Sequence, residues 1–241
     1  MTDYQSYSNK KIFNAREKLK EIYGEKLFDI VDHYPLYACP QTLLRYNFIF
    51  EIVRKISNSV GNICEFGTWK GATAILIAKL LDEIEPMTPR KVVIFDNFAG
   101  LPKPSIKDGK KAEQFVGSYK GDYESMIEII DAFDLYHRLK IIKGDANKTV
   151  PDYFSSDNPE LISLAYFDFD LYDPTMTAWK SIKGRINSGS ILIFDEGLDT
   201  KNWIGECFAV KEIIKDLKKD FQYKLIKNSI SNYPQIIVEL I

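Results

Sequence analysis

Six carboxylates carry the chemistry this sequence offers: Glu65, Asp96, Asp145, Asp168, Asp195 and Glu196. Each stands at or just past the end of a short apolar run that reads as a strand, the edge at which open α/β sheets bind ligands. Glu65 lies in Cys64-Glu-Phe-Gly-Thr-Trp-Lys-Gly71, ahead of a glycine turn and an apolar-periodic helix. A phosphate-binding turn would repel that charge, whereas a ligand carrying an ammonium group would pair with it. Asp96 ends the next strand, where an acid accepts both ribose hydroxyls, so a nucleoside-containing cofactor is expected and a ribose 2′-phosphate is disfavoured. Asp168, Asp195 and Glu196 fall on adjacent strands of the usual order. Crowded carboxylates repel unless they share protons or a cation. A hard divalent ion with oxygen ligands, Mg²⁺ first, answers that without cysteine or histidine. Asp170 is open between a partner of those acids, a substrate contact and a general base. Asp173 precedes Pro174 and reads as the N-cap of a helix over 174–186.

The elements that must position these residues follow from periodicity. Strands are expected over 61–66, 91–96, 139–144, 161–168 and 190–195, with helices over 70–82, 122–134, 174–186 and 205–219. Continuous apolar strands between helices imply a parallel sheet covered on both faces. Two last strands, near 222–227 and 234–240, with Asn228, Asn232 and Pro234 between them, read as a hairpin. Gly67 lets the backbone turn and a ligand approach, and Gly71 permits close helix–strand packing. Ahead of the first strand, apolar residues at helical spacing over 9–30, interrupted by Gly24, and a second helix after Pro40 form an N-terminal helical cap (1–60) on the main unit (61–241). The expectation is one α/β domain, Rossmann-like and doubly wound, ending in an antiparallel hairpin. The cap covers the sheet or forms a homodimer contact.

Composition bounds the function. The chain has 241 residues, 45% hydrophobic and 27% charged, with Lys+Arg 32 against Asp+Glu 34 and a net charge of −2, so nothing points to nucleic acid as a partner. No signal-peptide pattern and no bilayer-length uncharged run is present, which suggests a cytoplasmic protein. Cys39, Cys64 and Cys207 are far apart and read as reduced thiols. His33 and His137 are too few and too distant for a histidine metal site.

Several segments resemble the macrocin O-methyltransferase type of class I S-adenosylmethionine-dependent methyltransferases. They are Cys64–Gly71, Phe95-Asp-Asn-Phe-Ala-Gly-Leu-Pro102, Lys143-Gly-Asp145, Asp168-Phe-Asp-Leu-Tyr-Asp-Pro-Thr175, Ile193-Phe-Asp-Glu196 and Trp203-Ile-Gly-Glu-Cys-Phe-Ala-Val210. They run in the family's order over about residues 40–220. The resemblance implies metal-assisted methylation of a sugar hydroxyl. By position, Glu65, Gly67 and Gly71 would cradle the amino-acid part of S-adenosylmethionine, Asp96 would hold the ribose and Asp145 the adenine amine, with Thr68 and Asn97 completing the cofactor set. Asp168, Asp195 and Glu196 would hold the metal. The family commonly has paired aspartates where this chain has Asp195-Glu196. Related catechol-type enzymes place a lysine shortly after the first metal aspartate, but Phe169-Asp-Leu-Tyr offers none. A carboxylate (Asp168 or Asp170), His137 or water would take the proton.

The stretch 97–121 is too long for a plain connector. With Lys103, Lys107, Lys110, Lys111 and Lys120 it reads either as solvated surface or as a lid whose lysines face the diphosphate of a nucleotide-linked sugar. Two other functions remain as alternatives. A nicotinamide-dependent oxidoreductase would want G-x-G-x-x-G, which Glu65–Gly71 does not supply. A non-catalytic S-adenosylmethionine-binding protein would have no need of Asp195-Glu196.

Overall fold

The computed structural model describes residues 3–155, 157–228 and 234–241, with side chains from residue 13 onward. Strands β1 (Asn62–Phe66), β2 (Val92–Asp96), β3 (Leu139–Lys143), β4 (Ile162–Phe167), β5 (Ile186–Phe194), β6 (Tyr223–Lys227) and β7 (Ile236–Leu240) form one sheet in the order β3-β2-β1-β4-β5-β7-β6. The first five are parallel, and β7 runs antiparallel to both β5 and β6. This is a Rossmann-like doubly wound sheet whose strand order reverses between β1 and β4. Asn232, expected in the final turn, lies outside the described residues.

The helices are α1 (Asp3–Tyr23), α2 (Lys26–Asp32), α3 (Tyr34–Tyr37), α4 (Pro40–Ile56), α5 (Ala72–Ile84), α6 (Gly109–Ala112), α7 (Tyr123–Ala132), α8 (Ala146–Tyr153), α9 (Tyr172–Ile182) and α10 (Ile204–Asp220). Helices α4, α5 and α7 cover one face of the sheet, and α8, α9 and α10 cover the other. The 9–30 pattern divides at Gly24, whose φ of 81° is left-handed and ends α1. Ile22 and Ile30 from that pattern stay exposed, while Leu19 and Phe28 pack against Ala132 of α7. Helix α8 escapes the periodic reading because Pro151 sits inside it and only Ala146 and Val150 are buried.

A stripe of phenylalanines explains why the rim is acidic. Phe66, Phe167 and Phe194 end their strands, Phe95 stands one residue before the end of β2, and the four are paired in register. Their rings stack at 5.3 Å (Phe66–Phe95), 5.0 Å (Phe66–Phe167) and 4.7 Å (Phe167–Phe194) on the α8–α10 face. Side chains alternate along a strand, so the residue after each phenylalanine belongs to the α4–α5 face. Those residues are Gly67, Asp96, Asp168 and Asp195. The ladder continues one step past the strands, with Asp168 N donating to Phe66 O (2.8 Å) and Asp195 N to Phe167 O (2.9 Å), which fixes the rim in register.

Candidate functional site

At this rim lies a cavity of about 880 Å³, within the range of small-molecule sites. Glu65, Gly67, Thr68, Asp96, Asn97, Asp145, Asp168, Asp170, Asp195 and Glu196 all line it. Gly71 and His137 do not. Gly71, at φ 79°, leads into α5, and a Cβ there would sit 2.7 Å from the Met126 sulfur, so its small size serves packing against α7. His137 stands before β3, at the opposite end of the strand from the rim, and pairs with Asp82 at 2.8 Å. It is thus not placed to take a proton in the cavity.

One half of the rim is built by local bonds. Glu65 is 2% exposed and accepts from the Thr68 hydroxyl. Burial, followed by Asp96 and Asp195 among the groups that raise it, pushes its carboxyl up to about 8, against the Thr68 bond and the Arg45 charge. Asp96 Oδ2 accepts from the amides of Thr68 (2.8 Å) and Trp69 (3.1 Å), and Oδ1 from Phe98 N (2.6 Å). Asp96 therefore staples the glycine turn, and Oδ1, which accepts a single bond, keeps lone-pair capacity for a ribose hydroxyl. Gly67 is obligatory: its φ is 93°, and a Cβ would meet the Asp168 carbonyl oxygen at 2.0 Å. Asn97 Oδ1 accepts from Ala99 N (2.6 Å) and its amide donates to Gly100 O (3.0 Å). Asp145 caps α8, accepting from Asn147 N at 3.0 Å.

The other half is crowded. Burial is the first cause that holds Asp168 and Asp170 well above the usual carboxylate range. Asp195 comes next for Asp168, and Glu196 for Asp170. Glu196 is pushed up to about 7 by burial and then by Asp195. Asp170 holds a left-handed backbone (φ 63°), a strain typical of functional sites. Glu206 is fully buried; its Oε1 accepts from Glu196 N at 3.0 Å, and its Oε2 has no hydrogen-bond partner among the described residues.

The main offsetting charge comes from a residue the sequence did not single out. Arg45, on α4, places Nη2 3.6 Å from Asp168 Oδ2 and 3.7 Å from Asp195 Oδ1. Nothing local marks it, since its approach depends on how α4 packs. The donor chemistry here, an excess of oxygen acids relieved by a guanidinium, fits a hard cation. As placed, however, no three His, Cys, Asp or Glu side chains converge as a metal-binding group among the described residues. The expected Asp168/Asp195/Glu196 ligand set is thus brought together without closing around a point.

The 97–121 segment is folded. Asp108, 2% exposed, accepts from Ser105 N (2.6 Å), from the Ser105 hydroxyl (2.7 Å) and from Tyr172 N (2.6 Å). It therefore caps α9. Asp173, the expected cap, lies inside the first turn of that helix and lines the cavity. Leu101, Ala112, Leu171, Trp203 and Phe115 form a small core under the segment, and Tyr119 lies 6.1 Å from Trp69 and 6.2 Å from Trp203. Of the segment's lysines, Lys103 alone lines the cavity. Lys107 pairs with Glu212 at 3.2 Å, and Lys110, Lys111 and Lys120 are exposed outside it. Lys70, from the glycine turn, lines it as well.

The chain is similar to known proteins. The family model described as macrocin-O-methyltransferase (TylF) matches residues 44–221. No curated protein matches the chain. The solved structure of CalS11, a calicheamicin methyltransferase, is similar at 25% identity and a TM-score of 0.76, over 95% of this chain and 91% of that one. An apo structure of CalS11, titled a TDP-rhamnose 3′-O-methyltransferase, aligns at 25% identity and a TM-score of 0.69, over 95% and 93%. The O-methyltransferase NovP shares the fold at 22% identity and a TM-score of 0.63, over 81% and 79%. With about three-quarters of its length matched and the motif-bearing strand ends all on one rim, the chain belongs to the macrocin-O-methyltransferase (TylF) family.

Proposed function

We propose that this protein transfers the methyl group of S-adenosylmethionine to a hydroxyl of a sugar, with a nucleotide-linked sugar as the first candidate. The observation that carries this reading is one cavity joining the Glu65–Asp96 half to the Asp168–Asp195 half across the β1/β4 switch point. Glu65 would pair with the ammonium of the cofactor, Asp96 with its ribose and Asp145 with its adenine amine, while Gly67, Thr68 and Asn97 shape the cradle. The similarity to CalS11, and Lys70 and Lys103 on the cavity wall, support an acceptor carrying phosphate.

The reaction is an in-line displacement. The acceptor oxygen forms a bond to the methyl carbon, the carbon–sulfur bond breaks with its electron pair going to sulfur, and the hydroxyl proton leaves to a base. Asp168 and Asp170 are the carboxylates at hand to take it in their ionised forms, which burial disfavours in the free protein. Holding the two reactants in line can contribute roughly 7–11 kcal/mol of barrier reduction. Asp168, Asp195 and Glu196 are the residues that would hold a divalent cation, which would lower the pKa of the acceptor hydroxyl when bound. Exposed apolar side chains on the N-terminal helices, among them Phe13, Val31 and Leu36, support a second copy of the chain as their cover.

The test is an assay with S-adenosylmethionine and a panel of nucleotide sugars, glycans and glycosylated natural products, read by mass spectrometry for replacement of one hydrogen by methyl. Calorimetry with S-adenosylmethionine and with NAD runs beside it. Binding of NAD alone, or no methylation across the panel, overturns the reading. Chelation with EDTA should stop turnover and Mg²⁺ restore it. Full turnover after chelation removes the cation and leaves carboxylate-base methyl transfer. Sedimentation velocity checks the dimer.

A further inference from the structure

The C-terminal hairpin lies beyond the 44–221 match, yet it reaches the acidic rim. Extending the β5–β7 register one step past the Phe194–Ile236 pair sets Gln235 opposite Asp195. The same step on β6–β7, past Lys227–Ile236, sets Asn228 opposite Gln235, and Asn228 N donates to Gln235 O at 3.3 Å. Three strand ends thus present a row of polar side chains. They are buried: Gln235 is 0% exposed, Asn228 2%, Asp195 4%, and Tyr166, from β4, 0%.

Such a cluster inside a sheet is costly unless every donor and acceptor is matched. Here the buried side chains bond to one another. The Asn228 amide donates to Gln235 Oε1 at 2.6 Å. The two Gln235 Nε2 hydrogens go to the Tyr166 hydroxyl oxygen, at 2.9 Å, and to Asp195 Oδ1. The Tyr166 hydroxyl donates to the same Asp195 Oδ1. One carboxylate oxygen accordingly receives two buried donors.

We infer that the hairpin belongs to the catalytic apparatus, with Gln235 and Tyr166 as positioning residues that pin Asp195 by Oδ1 where it lines the cavity. The inference rests on the methyl-transfer reading for its kinetic consequence and on the hydrogen-bond network for its physical one. A carboxylate held on one oxygen cannot rotate about its Cβ–Cγ bond without breaking two buried hydrogen bonds. Displacement along a methyl-transfer line tolerates little misplacement, of the order that costs roughly a hundredfold per ångström.

The experiment uses the full chain with Tyr166→Phe, which deletes one oxygen and keeps the ring, and Gln235→Leu, which deletes both donors at similar volume. With the nucleotide sugar turned over fastest in the panel, each should lower kcat about tenfold or more. Acceptor KM and S-adenosylmethionine Kd should stay within about threefold, at temperatures where the melting curve shows a folded protein. In an Asp195→Asn background the same substitutions should cost less than about twofold. Equal losses in both backgrounds, or wild-type kcat in Tyr166→Phe, would overturn the inference. A readout without acceptor separates it from the methyl-transfer reading. In NMR spectra of the free protein, Asp195→Asn should shift the Gln235 side-chain amide resonances. Unmoved resonances overturn the network, whereas shifted resonances beside an inert panel uphold it and overturn the methyl-transfer reading alone.

Discussion

The two halves of the rim hold their carboxylates by different means. On the β1–β2–β3 side, Asp96 is satisfied by three backbone amides, Glu65 by Thr68, Asn97 by Ala99 and Gly100, and Asp145 by Asn147. Most of these partners lie within four residues of the acid. On the β4–β5 side, Asp195 is held by Tyr166 and Gln235, Asp168 faces Arg45, and the segment over them is tied down by Asp108 on α9. Those partners come from 29 to well over 100 residues away. The first half is a cradle that folds with its turn. The second is a concentration of charge that exists only once distant elements have packed, and Asp168, Asp170 and Glu196 hold on to protons accordingly.

Substitutions on the second side should therefore cost chemistry, and those on the first should cost cofactor binding. The largest effect is expected for Asp168→Asn and Asp195→Asn. Turnover should fall roughly 10²–10⁴-fold, the range for a lost acid–base group, while calorimetry shows S-adenosylmethionine bound as in the wild type. A matching loss of cofactor affinity would erase the division between the halves. Next is Asp96→Ala. It should weaken S-adenosylmethionine by about 1–3 kcal/mol and also lower the melting temperature, because three amides lose their acceptor. Affinity unchanged by titration calorimetry would take Asp96 out of the ribose contact.

The pH dependence sharpens the same contrast. Glu65 is mostly protonated below about 8 in the free protein, yet pairing with an ammonium requires its carboxylate. S-adenosylmethionine Kd should thus fall by up to about tenfold per pH unit as pH rises toward 8, with proton release on binding, and Glu65→Gln should flatten that slope. Calorimetry in buffers of different ionisation enthalpy measures the proton. Because the folded pKa lies above the unfolded one, Glu65 contributes its full stability below about 4.5 and loses it as pH rises through about 8. Thermal melts of the free protein against Glu65→Gln across that window show the sign. The smallest effect concerns the lysines. Lys103→Ala should raise the KM for a nucleotide sugar a few-fold, more at low salt than at high salt, and Lys110→Ala with Lys111→Ala should leave it unchanged. The reverse order would mean that the segment re-docks when the acceptor binds.

Sequence reading succeeds where the cause is local. Strand periodicity, the turn at Gly67 and the carboxylates that follow strand-ending phenylalanines follow from near-neighbour rules, so most of the fold and the membership of the rim were legible. The errors fall where the nearest partner in space is far in sequence. Asp173 sits one residue before a proline and looked like a cap, but the helix already begins at Tyr172, whose amide donates to Asp108, 64 residues upstream. His137 has the chemistry of a base, yet the direction of β3 carries it to the wrong edge of the sheet. The lysines of 97–121 carry the right charge, but the small core around Trp203 turns most of them outward.

By itself, then, the sequence determined which residue types arrive at the C-terminal edge of the sheet, because alternation and strand length set that without reference to anything distant. Which charge answers those acids was decided by tertiary packing. Arg45 owes its place to how α4 lies on the sheet, and Gln235 owes its place to a cross-strand register with β5. Neither is encoded in a motif, since a guanidinium or an amide finds a carboxylate through space and the chain between them is free to vary.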